Sequence, residues 1–313
     1  MKDDKAFARR VIYGLFPVLL LWFLMTAGQD LWGGGASGKF LRQLFSPSLL
    51  GPDRALAASL PAPEKAEAKP ERQRPDPLMV NLWMQTSAEY EALCLQTYNF
   101  ALSELSRELE RLPRPATKPL AVIMDLDETV LDNLAYQGFL AFSGLDYSDA
   151  TWNSWVRDHI DEVGLVPGAK EFIAGVENQG VTVVYISNRQ EADRQSTVRA
   201  LLKVGLAKKD SDFEGGNAIR LLLKKDTSSK EARRAEVLKR FAVIALVGDN
   251  LEDFSAEFDK NKITSAEERR AKVESDCSAW GARWFVLPNP IYGDWTRYVD
   301  WNHPENSLRR MKQ

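Results

Sequence analysis

Cysteine and histidine are scarce in this 313-residue chain, at two of each. Two cysteines, Cys94 and Cys277, exclude a scaffold built on disulfides, and one bridge or two free thiols both stay open. His159 and His303 are the only histidines, so phosphohistidine chemistry or a many-histidine metal site has little to build on. Surface or capping roles suit both better than metal binding. An excess of basic charge is also lacking. The net charge of −3 and pI near 5.7 argue against a broadly basic surface for nucleic acid. No internal repeat is present, which sets solenoids aside.

A long apolar run does occur, at the N-terminus. Lys2, Lys5, Arg9 and Arg10 precede a run from Val11 to about Gly28. Basic residues before an apolar stretch place the N-terminus in the cytoplasm and the rest outside. Residues 1–28 are therefore expected to be a signal peptide or signal anchor, with Thr26-Ala27-Gly28 a cleavable site. A buried core helix is the weaker alternative. No cysteine follows the run, which excludes lipid attachment through an N-terminal cysteine. Residues 29–77, with Gly33-Gly34-Gly35 and the stretch Lys69 to Pro77, read as a Pro/Gly-rich extended linker. The folded domain is expected over 78–313.

Within it, Ser87 to about Leu112 has helical spacing of apolar residues. Short apolar strands follow at Leu120–Met124, Thr182–Ile186, Ile219–Leu223, Val243–Val247 and Trp284–Leu287. Amphipathic stretches at about 168–178, 191–204, 229–240 and 250–260 separate them. This alternation predicts an α/β fold, a mostly parallel sheet with helices on both faces. An aromatic-rich insertion, about 131–166, follows the first strand and is placed to cover whatever lies at the strand ends.

Ligands of such sheets sit beyond the carboxyl ends of the strands. The first strand ends in Asp125, with Asp127 and Thr129 at alternate positions, which puts all three on one face if the chain stays extended. Close carboxylates repel unless a cation or a shared proton lies between them. The pattern predicts a divalent metal, one ionised Asp and one Asp able to carry a proton. Ser187-Asn188-Arg189 ends the second strand, Lys224, Lys225 and Lys230 follow the third, and Asp249-Asn250-Leu251-Glu252-Asp253 follows the fourth. Together these groups suit phosphoryl transfer through an aspartyl-phosphate.

The ordered set resembles the haloacid dehalogenase (HAD) superfamily, and more closely the class C acid phosphatases of the lipoprotein e(P4) group. Asn81-Leu82-Trp83-Met84-Gln85-Thr86, Ile186-Ser187-Asn188-Arg189, Val247-Gly248-Asp249-Asn250-Leu251 and Leu287-Pro288-Asn289-Pro290-Ile291-Tyr292-Gly293 carry it, over about 78–295. The resemblance implies a Rossmann-like HAD core with a small cap and a Mg²⁺-dependent phosphomonoesterase, an acid phosphatase acting on small phosphomonoesters, often 5′-nucleotides. It implies Asp125 as nucleophile and Asp127 as general acid and base. Mg²⁺ would be held by Asp125, Asp249 and the Asp127 carbonyl, with Asp253 supporting the metal indirectly. Thr129, Ser187 and Lys230 would bind phosphate, Lys224 and Lys225 being alternatives to Lys230. Lys230 is expected in the first turn of a helix that Thr227 caps. Trp152 or Trp155, with Tyr292, would stack a flat leaving group. Asp132 and Asn133 would hold the loop after the nucleophile. The relatives act outside the cytoplasm, so periplasm or cell surface is expected, with membrane attachment through the N-terminal segment; a homodimer stays open. Unlike those lipoproteins, this chain lacks the acylated cysteine.

Three other readings are weighed. Cys277 to Arg283 matches the Cys-x5-Arg loop of cysteine phosphatases, but the expected strand follows Arg283 where that chemistry needs it before. A tethered phosphate-binding protein with degenerate catalysis conflicts with the complete set of polar groups. Transfer to an acceptor alcohol in place of water, as in a phosphotransferase, stays open.

Overall fold

The computed structural model describes residues 77–113, 117–213, 220–309 and 311. The expected export segment, and the linker up to residue 76, lie outside the described residues.

Pro77 opens the first helix, α1 (Pro77–Thr86), where its missing N–H costs nothing. Ser87 then caps α2 (Ala88–Arg111) by accepting the Tyr90 N–H at 3.2 Å. Tyr90, Cys94, Tyr98, Ala101 and Leu105 form its buried stripe at steps of three and four residues. Cys94 is buried and Cys277 exposed, and both are free thiols.

The chain continues through β1 (Leu120–Met124), β2 (Leu131–Asp132), α3 (Leu134–Ser143), α4 (Asp149–Asp158) and β3 (Gly164–Leu165). Next come α5 (Ala169–Asn178), β4 (Thr182–Gln190), α6 (Arg194–Lys203), β5 (Leu221–Lys224) and α7 (Glu231–Arg240). The last elements are β6 (Ala242–Gly248), α8 (Ala266–Ser275) and β7 (Trp284–Val286). Five strands make one parallel sheet in the order β5-β4-β1-β6-β7. β1 is central, and the chain departs to one side of it and returns on the other. Val122 and Met124 point into the larger core with Tyr98, Phe172 and Leu201. Ala121 and Ile123 point into the smaller core with Val237 and Phe241. Burial on both faces is what a near-continuous apolar strand requires. β2 and β3 pair antiparallel and close the base of an insertion holding α3 and α4. Among the described residues no helix is long and apolar enough to cross a membrane.

One expected helix does not form. Residues 250–260 are two three-residue 3-10 turns, Leu251–Asp253 and Ala256–Phe258. The Asp253 carboxylate accepts the Asn250 N–H at 3.0 Å, which closes the first turn on itself. Ser255 is extended and caps the second turn through the Glu257 N–H. Two local caps in six residues defeat a continuous helix.

Helices α2 and α5 approach closely at a glycine. A Cβ on Gly175 would lie 2.7 Å from Leu102 Cδ2. Gly175→Val is expected to lower stability by about 1–3 kcal/mol through overpacking. Urea unfolding measures it, and an unshifted midpoint would contradict the close approach.

Candidate active site

The site lies at the carboxyl ends of β1, β4, β5 and β6, where the parallel sheet changes direction. The Asp125 N–H donates to the Val247 carbonyl at 3.0 Å, so the ladder carries Asp125 one residue beyond β1. The chain then turns. The Leu126 carbonyl accepts the N–H groups of Thr129, Val130 and Leu131 at 3.3, 2.8 and 2.7 Å. Glu128 takes the left-handed conformation, φ 55°, which is strained for a residue with a Cβ. This turn is why Asp125, Asp127 and Thr129 do not share a strand face.

The three residues reach different partners. Asp125 accepts from Lys230 Nζ at 2.5 Å. The same ammonium donates to Asp253 Oδ1 at 2.6 Å. Thr129 is fully buried, and its hydroxyl donates to Asp249 at 3.3 Å. That places Thr129 behind Asp249, away from the cavity it was expected to face. Its carbonyl accepts the hydroxyl of buried Tyr98, which ties the turn to α2.

Carboxylate oxygens of Asp125, Asp249 and Asp253 lie within 4.8 Å of one another. Lys230 is the cation bonded within this group. With all three ionised, two negative charges remain uncompensated. Burial, partly offset by Lys230, pushes Asp125 well above the usual carboxylate range, and Asp253 and Asp249 push it further. Burial, then the Asp253 charge, raises Asp249 to about 7. Burial alone would lower the Lys230 ammonium, but Asp125 and Asp253 outweigh it and hold it raised and charged. Three clustered hard oxygens short of positive charge are a donor set for a small divalent cation. Asp253 is thus a full member of the cluster. Gly248 keeps it there, because a Cβ on Gly248 would overlap the Asp253 side chain.

Asp127 stands apart from this cluster. Arg189 grips it from Nη2 at 2.7 Å and Nε at 2.9 Å to Oδ1, with Nε 3.2 Å from Oδ2. Asn133 Nδ2 donates to Oδ1 at 3.0 Å and the Ser187 hydroxyl to Oδ2 at 3.3 Å. Asn133 in turn accepts from Trp155 Nε1 at 2.8 Å. Its backbone N–H donates to Glu128 at 3.1 Å. Burial, then the neighbouring Asp127 charge, raises the Glu128 carboxyl. Asp132 holds the same loop by accepting the Leu134 N–H at 2.7 Å.

Lys230 sits one residue before α7, outside its first turn. Thr227 accepts the Ser229 N–H at 3.2 Å and does not cap that helix. Lys224 also lines the cavity, without the carboxylate contacts of Lys230. Ser187 is fully buried against Asp127. Trp155 is buried behind Asn133, whereas Trp152 and Tyr292 line the cavity, which measures about 420 Å³. Two contributors went unassigned from sequence. Arg189 stood inside the Ser187-Asn188-Arg189 signature, but its partner is 62 residues away. Asn289, from the Pro-Asn-Pro stretch, donates to Asp249 at 2.8 Å and accepts the Ile291 N–H at 3.1 Å, which sets the loop carrying Tyr292.

Residues 64–295 match the family described as HAD superfamily, subfamily IIIB (acid phosphatase). Among solved structures, the chain is similar to the class C acid phosphatase from Bacillus anthracis. It is 30% identical, with a TM-score of 0.66, over 76% of this chain and 98% of that one. A tungstate-bound structure of class C acid phosphatase from Bacillus anthracis matches at 29% identity and TM-score 0.65, with the same coverage of 76% and 98%.

The Arg189–Asp127 pair is buried, with Arg189 side-chain exposure 0% and Asp127 14%. Arg189→Met strands a carboxylate and is expected to cost about 3–5 kcal/mol in chemical unfolding. Adding Asp127→Asn should restore part of that loss, because the stranded charge is gone. A double variant that sums the two single losses would show that the pair is not coupled.

Proposed function

The chain belongs to the acid phosphatases of HAD subfamily IIIB and is a phosphomonoester hydrolase; we propose that it works through a phosphoryl group carried on Asp125. The observation behind this reading is the different company of its two aspartates. Asp125 faces Lys230 and the clustered carboxylates. Asp127 is held by Arg189, Asn133 and Ser187. One group is built to meet phosphorus and the other to handle a proton.

Asp125, Asp249 and Asp253 would hold Mg²⁺, which when bound supplies charge compensation for an anionic nucleophile meeting an anionic phosphate. In the first half-reaction an Asp125 oxygen bonds to phosphorus as the ester oxygen departs. Asp127 gives that oxygen its proton. In the second, Asp127 takes a proton from water, whose oxygen bonds to phosphorus as the Asp125–phosphorus bond breaks. Lys230 neutralises charge on the transferred group. Ser187, whose hydroxyl donates to Asp127, would turn that hydroxyl to a phosphate oxygen when substrate binds. Tungstate, a tetrahedral oxyanion, is bound in the Bacillus anthracis relative, which supports a phosphate subsite of this kind. Trp152 and Tyr292 line the same cavity and suit a flat leaving group, so 5′-nucleotides are the favoured substrates.

The basic-then-apolar start, Lys2 to Gly28, supports export from the cytoplasm, with the same segment as anchor if it is retained. Cell fractionation is expected to place activity at the membrane or in the extracytoplasmic fraction, and purely cytosolic activity would contradict this.

The chemical test uses metal-stripped enzyme with an aryl phosphate and nucleoside 5′-monophosphates. Mg²⁺ is expected to restore phosphate release. Asp125→Asn is expected to lower kcat by more than about 10³-fold. Full release in chelator, or by Asp125→Asn, would overturn the mechanism.

A further inference from the structure

A second cavity, about 260 Å³, adjoins the catalytic one and shares Gln137, Tyr147 and Tyr292 with it. The two differ in chemistry. The catalytic cavity carries the carboxylates, Arg189 and Lys230. The second is a trough walled by Val80, Leu140, Leu145, Ile291, Trp295 and Trp301. Several of its polar side chains are already engaged. Trp295 Nε1 donates to the Tyr292 carbonyl at 3.1 Å and Trp301 Nε1 to the Thr296 carbonyl at 2.8 Å. Asn81 donates to the Pro77 carbonyl at 2.8 Å. Both indoles are therefore left to present carbon to the trough. Among the described residues no Lys or Arg lines it and Asp146 is its one carboxylate, so these walls offer a second phosphate or other anion no cation.

Tyr147, which both cavities share, is 58% exposed. A nucleoside base stacked at Trp152 would occupy the first cavity and leave this trough unused. An anionic head at Lys230 with an apolar body passing the Tyr147–Tyr292 pair uses both.

We propose that the trough binds the apolar chain of a soluble, single-chain amphiphilic phosphomonoester whose phosphate is cleaved at Asp125. The proposal rests on the phosphomonoesterase reading above and adds a substrate class to it. The ester oxygen leaves with the chain as the free alcohol, protonated from Asp127. Water supplies the oxygen that completes inorganic phosphate. For such an ester, contact area in the trough, rather than hydrogen bonding, sets the preference among chain lengths.

The test uses the full-length chain with Mg²⁺ and n-alkyl phosphates from ethyl to decyl, each below its micelle concentration. Alcohol acidity hardly changes along this series, so chain length is the variable. kcat/KM is expected to be flat for the shortest chains. It should then rise about three- to fourfold per methylene that enters the trough, and level off once the trough is full. Ala141→Trp, which fills the trough from α3, and Leu145→Asp, which makes its wall polar, should each shrink the decyl-to-ethyl ratio. A flat series from an enzyme that hydrolyses ethyl and aryl phosphates would overturn the subsite alone. A steep series unchanged in both variants would overturn its location. Failure to hydrolyse any ester, ethyl included, would overturn the phosphomonoesterase reading and the subsite with it.

Discussion

One buried ammonium, Lys230, holds two carboxylates from separate strand ends, and a third carboxylate lies beside them. This arrangement is unfavourable on its own terms. Burial penalises every charge in it, and one cation does not balance three anions. The surrounding structure is organised to sustain it. Thr129 and Asn289 donate to Asp249, and the Asn250 N–H donates to Asp253. Gly248 leaves room for the Asp253 side chain. A divalent cation held by these carboxylates would match the missing charge, and Lys230 would add positive charge toward a bound phosphate. The parallel sheet delivers the parts, since β1, β5 and β6 all end at the same edge.

The second aspartate is kept out of that cluster by a different set of contacts. Arg189 and Asn133 grip Asp127, and Asn133 is itself fixed by Trp155 and Glu128. Trp155 belongs to α4, within the insertion that covers the site. Asp127 is therefore tied to the cover as well as to β4, while Asp125 is tied to the sheet. Trp152, from the same helix, lies with its ring centroid 5.7 Å from the Arg189 guanidinium carbon. Trp152 and Asp127 thus meet through Arg189, and a change in the cover is expected to be felt at Asp127.

Much of this was legible in the sequence because it is local. β1 occupies Leu120–Met124 as the apolar run suggested, and β4 and β6 contain their expected spans. The aspartates and Lys230 follow strand ends in order, and that order carried the family resemblance. What escaped was set by the turn after Met124 and by contacts distant in sequence. No glycine or proline marks that turn; a strained Glu128 does, and strain leaves no composition signal. Asp249, the partner of the Thr129 hydroxyl, is 120 residues on, so its destination could not be read from an alternating pattern. The 250–260 stretch has helical spacing, but two side-chain caps divide it. The apolar trough draws its walls from α1, from α3 with the turn that follows it, and from the segment after β7, stretches with no shared motif.

Phosphoryl transfer through Asp125, as proposed, can be trapped chemically. Reaction mixtures quenched in acid during turnover and reduced with borohydride convert an acyl phosphate to an alcohol. Peptide mass spectrometry then locates the reduced residue. Reduction of the side chain at position 125 is expected only in the presence of substrate. Phosphate release with no reduced Asp125, or reduction at Asp127 or Asp249 in its place, would contradict it.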